Sequence, residues 1–149
     1  MRINYQLIGD NDMTLLATGF NAFTTKNQVT GTIKYLPDPK SVIALIMSGK
    51  LKDYILLVRG GTTTFLAPAL SKGSLGIITM SGAPESHLGI LSREFQTPCI
   101  MTLELTGSAD KYVVGETPDS YFANVVKQLD GKRVTLQCDD ATTGKVVAA

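Results

Sequence analysis

The sequence predicts an α/β domain whose sheet has a parallel part joined by right-handed crossovers. Compact apolar runs at 54–58, 75–79 and 98–103 alternate with stretches of helical character. A strand–helix–strand–helix–strand order of this kind makes parallel neighbours, and such crossovers are right-handed. The first third of the chain reads as β-rich, in short runs bounded by Gly, Asn and Asp.

The elements follow in order. Leu15–Gly19 and Thr30–Tyr35 are apolar or alternating runs that predict the first two strands. Pro37-Asp38-Pro39 stops the second, with Asp38 as N-cap and Pro39 at the first position of a helix. Val42, Ile43, Leu45 and Ile46 supply that helix with an apolar face. Tyr54–Val58 is a buried strand with a tight exit at Arg59-Gly60-Gly61, and Thr62 to Thr64 open a helix through Leu70. Leu75–Thr79 is the next buried strand, and Ser81-Gly82-Ala83-Pro84 is a loop. Ser86 begins a second short helix through about Phe95, and Pro98–Leu103 is the third buried strand. Thr117 caps a further helix with Tyr121, Val125, Val126 and Leu129 toward the core. A strand at Arg133–Gln137, a turn near Thr143-Gly144 and a last strand at Lys145–Val147 close the chain.

With 149 residues and 16.0 kDa the chain can bury one core, so a single domain over 1–149 is expected. Hydrophobic residues at 44% and charged residues at 18% exclude a disordered chain. The net charge is +1 and the basic residues are scattered, which speaks against nucleic-acid binding. No apolar stretch approaches ~18 residues and no secretory signal is visible, so no membrane association is expected. Cys99 and Cys138 match no metal-ligand spacing, so no metal site is expected and a reducing, cytoplasmic compartment is the plain reading.

His87 is the only histidine. A lone histidine is commonly structural or merely exposed. This one follows a Gly-containing turn and falls in the opening turn of a predicted helix. Free backbone N–H groups and the positive end of the helix dipole accommodate an anion there. A neutral imidazole in that place is a nucleophile toward phosphorus. Ser86 fits either a helix cap or a contact to a phosphoryl oxygen.

The segment Gly82-Ala83-Pro84-Glu85-Ser86-His87-Leu88-Gly89-Ile90-Leu91-Ser92-Arg93-Glu94-Phe95-Gln96-Thr97-Pro98 resembles the mobile-domain motif of the PEP-utilising enzymes. Gly82, Ser86, His87, Ile90, Arg93 and Pro98 match its pattern, and Glu94 follows the arginine as it often does there. Asp130-Gly131 and Val134 are similar to the family's closing strand. The pattern's second Gly and its Thr are Ala83 and Glu85 here.

The resemblance implies a three-layer β/β/α swivelling (phosphohistidine) domain acting as a stand-alone carrier. An ATP-grasp partner would phosphorylate His87, and the group would pass to a PEP/pyruvate-type or other acceptor on a second partner. The chain itself would bind no cofactor, with ATP and Mg held by the ATP-grasp subunit. Gly82, Ser86, Arg93 and Thr62 become phosphate-binding candidates. Arg93 fits a phosphate contact and a surface salt bridge equally, and Thr62 fits an anion contact or a simple helix cap. Two other functions stay open. One is a non-catalytic docking or regulatory module of the same fold, favoured by Ala83 and Glu85. The other is the small swivelling subunit of an aconitase-like dehydratase, whose Gly-Gly-Ser/Thr turn is similar to Gly60-Gly61-Thr62.

Outside this segment, Cys99 reads as a buried structural thiol before a nucleophile, and Cys138 reads the same way. Asp139-Asp140 reads as a solvated pair near a turn. Gly60-Gly61-Thr62-Thr63 reads as a tight strand–helix turn before a phosphate cradle.

Overall fold

A computed structural model describes residues 14–60, 66–81, 86–106 and 119–149. Its elements are β1 (Leu15–Asn21), β2 (Val29–Tyr35), α1 (Pro39–Met47), a 3-10 turn (Leu51–Asp53), β3 (Tyr54–Val58) and α2 (Ala67–Ser71). They continue with β4 (Gly76–Thr79), α3 (His87–Glu94), β5 (Cys99–Leu105), α4 (Asp119–Leu129), β6 (Arg133–Gln137) and β7 (Thr143–Ala148). The expected α/β character holds. The strands form one closed barrel in the order β1-β5-β4-β3-β2-β6-β7. β2 through β5 run parallel, while β1, β6 and β7 join them by antiparallel pairing. No described helix is long and apolar enough to cross a membrane.

The period-two alternation of the strands sorts their side chains between two cores. Ile55 and Leu57 of β3, Ile78 of β4 and Ile100 of β5 fill the barrel together with Ile33, Val134, Leu136 and Val146. Tyr121, Phe122, Val125 and Leu129 of α4 pack onto that same cluster, and the Tyr121 hydroxyl donates to the Leu103 carbonyl at 2.8 Å. The alternate residues Leu56, Val58, Ile77, Cys99 and Met101 face outward. They are covered by Val42 and Leu45 of α1, Ala69 and Leu70 of α2, and Leu88 of α3.

β5 departs from strict alternation. Between the pairs Thr18–Glu104 and Phe20–Met101, β5 holds one more residue than β1. Thr102 takes φ 54°, a left-handed backbone unusual for a β-branched residue. This bulge shifts the parity of the strand, so that Leu103 instead of Thr102 follows Ile100 into the barrel. Ile100 fits there because two facing strands carry glycine. A Cβ at Gly19 would lie 2.7 Å from Ile100 Cγ2, and one at Gly144 2.6 Å from Ile100 Cγ1.

Most predicted elements appear where the sequence places them. The Asp38 cap is a full capping box, with Asp38 Oδ1 accepting from the Ser41 N–H at 2.8 Å and Ser41 Oγ accepting from the Asp38 N–H at 3.3 Å. Two details differ, and one falls outside the described residues. Ile43 is 52% exposed, because helical spacing turns it a step away from the Val42–Leu45 stripe. The described part of the helix after β3 is Ala67–Ser71, while Thr62 to Thr64 lie outside the described residues. The final turn precedes Thr143, where β7 already begins. Asp140 sets this turn by accepting from the Thr142 and Thr143 N–H groups at 2.9 and 2.8 Å. Those bonds hold its carboxyl below the usual carboxylate range.

Candidate active site

The exits of β3 and β4 meet at the carboxyl ends of the parallel strands, the edge where α/β sheets place their ligand sites. Gly60 takes φ +113° just past β3. A Cβ there would stand 2.2 Å from Ser81 Oγ and 2.5 Å from Ser81 O. Ser81 Oγ in turn donates to the Arg59 carbonyl at 2.9 Å. The two loop entries are therefore in backbone contact, and the second leads to α3.

Ser86 caps α3. Its backbone is extended (φ −67°, ψ 166°) and its Oγ accepts from the Gly89 N–H at 3.4 Å. His87 is the first helical residue and is exposed. The N–H groups of His87 and Leu88 have no acceptor within their own helix, as at any helix start. The opposite side of α3 anchors it, with Leu88, Gly89 and Ser92 buried. Ser92 Oγ donates to the Leu88 carbonyl at 2.8 Å and also meets the Cys99 thiol on β5. The imidazole thus rises into solvent from a helix whose back is fixed to the sheet.

Of the sequence candidates, Ser86 and His87 come together. Arg93 is six residues further along α3, about 9 Å along the axis at the usual rise. It is exposed, and it lines a groove with Asn21, Phe23 and Gln96. Gly82 and Thr62 lie outside the described residues, as do Ala83 and Glu85.

One feature of this end of the sheet escaped the sequence. The Arg59 guanidinium stacks on the Phe122 ring, 4.2 Å from its centroid, and pairs with Asp119. Both charged side chains are half or more exposed, so the pair itself contributes little stability. Its signal was only the position of an arginine at the exit of a buried strand.

Residues 51–141 match the family described as PEP-utilising enzyme, mobile domain. The chain belongs to this family. The match begins at the 3-10 turn before β3 and ends in the turn before β7, so both loop exits and His87 fall within it. Around this mobile-domain segment, β1 and β2 on one side and β7 on the other complete the barrel, and α1 covers its outer face. No curated protein matches the chain.

The two cysteines of the mobile domain are buried and free. Burial pushes each thiol from 9.0 up to about 12, opposed at Cys99 by a hydrogen bond with Ser92 and reinforced there by Cys138 and at Cys138 by Asp139. A raised thiol pKa favours the folded state fully below the unfolded value and loses that contribution as pH climbs toward 12. At pH 8 the thiolate fraction of each therefore falls far below that of an unfolded cysteine. Colorimetric thiol titration with an aromatic disulfide at pH 8 should therefore show two sluggish thiols in native protein and two fast ones in urea. Rapid labelling of the native chain would contradict the burial.

Proposed function

We propose that this chain is a phosphoryl carrier, with His87 taking a phosphoryl group from one partner and yielding it to another. The observation that carries the reading is the position of the sole histidine: exposed, first in α3, and inside the mobile-domain match. A ring nitrogen of neutral His87 attacks phosphorus in line with the leaving oxygen. The N–P bond forms as the P–O bond breaks, and the leaving oxygen keeps the electron pair. The N–H groups opening α3 face the phosphoryl oxygens and offset their charge. Transfer onward reverses the step, as an acceptor oxygen takes phosphorus and the imidazole departs.

In this reading residues 1–149 form one three-layer β/β/α swivelling unit. Gly82 and Thr62 stay phosphate-binding candidates on the family resemblance alone, and Ser86 caps the helix that His87 opens. ATP and Mg belong to an ATP-grasp partner, and a PEP/pyruvate-type or other acceptor belongs to a second partner. The chain acts in the cytoplasm, where ATP is supplied and free thiols persist.

The test is intact-mass and phosphorus NMR analysis after incubation with the ATP-grasp partner and ATP. Wild type should gain one acid-labile, alkali-stable phosphoryl group, and His87→Ala none. An active partner that leaves wild type unlabelled would favour a docking module without the chemistry.

A further inference from the structure

The helix α1 turns an unpartnered face to solvent. Lys40, Ile43, Ala44 and Met47 lie along it, opposite the buried Val42 and Leu45. Ile43 is 52% and Met47 81% exposed, and as an i, i+4 pair they form one apolar ridge. α1 starts past the carboxyl end of β2 and returns to the amino end of the parallel β3, so Met47 lies at the edge of the sheet away from His87. The helix also precedes residue 51, where the family match begins.

Cations gather at the Met47 end. Lys50 and Lys52 belong to the turn between α1 and β3, and Lys72 stands at the end of α2. Lys52 reaches across to α2, with its Nζ 3.7 Å from the Cβ position of Gly73. With Lys40 these are four exposed lysines, more than the whole net charge of +1, so the remainder of the chain is acidic on balance. Among the described residues none of the four makes an ion pair. Asp38 is held as the α1 cap at the other end, and Asp53 beside Lys52 pairs with no lysine. The carboxyl ends of α1 and α2 favour cations, but a helix dipole gives no reason for Ile43 and Met47 to be bare. Apolar side chains flanked by unpaired like charges suit a partner surface of the opposite sign.

We infer that this face of α1 docks an acidic amphipathic helix of a partner protein. Apolar residues of that helix cover Ile43 and Met47, and its carboxylates meet Lys40 at one end and Lys50, Lys52 and Lys72 at the other. A helix fits because α1 offers a ridge at helical spacing, and the unbranched Met47 adapts to what lies over it. Two apolar side chains give a bilayer little to bury, which disfavours a lipid surface. Docking there leaves the His87 edge uncovered, so it anchors the domain without blocking that edge. The inference does not depend on the carrier reading of His87.

The test titrates the full chain with a synthetic acidic helical peptide, followed by amide chemical shifts. The peptide carries leucines at i, i+3, i+4 and i+7, with glutamates and alanines elsewhere. Shifts should centre on α1, the 3-10 turn and Lys72, and spare α3 and α4. Lys50→Glu combined with Lys52→Glu should weaken binding about tenfold or more, and Met47→Ser several-fold. These side chains are exposed, so unchanged shifts elsewhere in the variants report an intact fold. A scrambled peptide of the same composition should bind at least about tenfold more weakly, because its apolar residues no longer share one helix face. Absent shifts in α1, equal binding by the scrambled peptide, or indifference to the charge reversal would overturn the helix seat. So would vesicles of phosphatidylglycerol that shift the same amides when the peptide does not.

Discussion

Gly60→Ala is expected to destabilise the domain by about 2–4 kcal/mol and, on the proposed carrier reading, to slow phosphorylation of His87. Two effects add at this position. The φ of +113° lies where L side chains are strained whatever the space around them. The new methyl would also meet Ser81 Oγ at 2.2 Å and Ser81 O at 2.5 Å. The hydroxyl can rotate away, but the carbonyl belongs to the chain leading out of β4. Relief requires the two loop entries to part, and one of them positions α3. Gly131 is the control, because it has φ +84° with nothing within 4 Å of a built Cβ. Gly131→Ala carries the backbone cost alone, about 1 kcal/mol. Urea unfolding of both variants checks the difference. Equal losses at the two sites would show that the contact with Ser81 does not matter.

Ile100→Ala should cost about 3–4 kcal/mol, within the range for deleting a large aliphatic from a core. Ile100 is fully buried, and its branches fill the space left by Gly19 and Gly144. Gly144→Ala alone should also destabilise, because its Cβ would fall 2.6 Å from Ile100 Cγ1. In the Ile100→Ala background that contact is gone, and the same substitution should become neutral or stabilising. A double-mutant cycle by urea unfolding measures the reversal. Strictly additive effects would mean that the glycines are not there to admit Ile100.

The contrast between these sites shows what the sequence made legible. Buried strands such as Tyr54–Val58, the Asp38 cap and the Ser86 cap were readable because each depends on neighbours within a few residues. Part of the motif around His87 was readable for the same reason, since Ser86, His87, Ile90 and Arg93 belong to one capped helix. Barrel closure was not, because β1 pairs with β7, and nothing local in either strand specifies a partner at the far end of the chain. The parity shift at Thr102 was equally hidden: a β-branched residue in a strand normally signals regular pairing, and only the register with β1 reveals the extra residue. Asn21 gave no signal, since its carboxamide donates to the Cys138 and Asp140 carbonyls, more than a hundred residues away. The phosphate candidacy of Arg93 came from the motif it shares with the family, beside an equal reading as a surface salt bridge. Its groove is built partly from β1 and from the turn before β7, which no pattern in α3 specifies.

Closure of the barrel also limits how any other protein can hold this one. Each described strand has a neighbour on both sides, so no described edge offers a row of free N–H and C=O groups. Strand addition, which builds adhesion from a ladder of main-chain bonds, finds no open edge among the described strands. Recognition at this barrel runs through side chains and loop ends, patch against patch, where dissociation rates are set by a few contacts. On the proposed carrier reading that property suits the cycle, because each departure is then as necessary as each arrival.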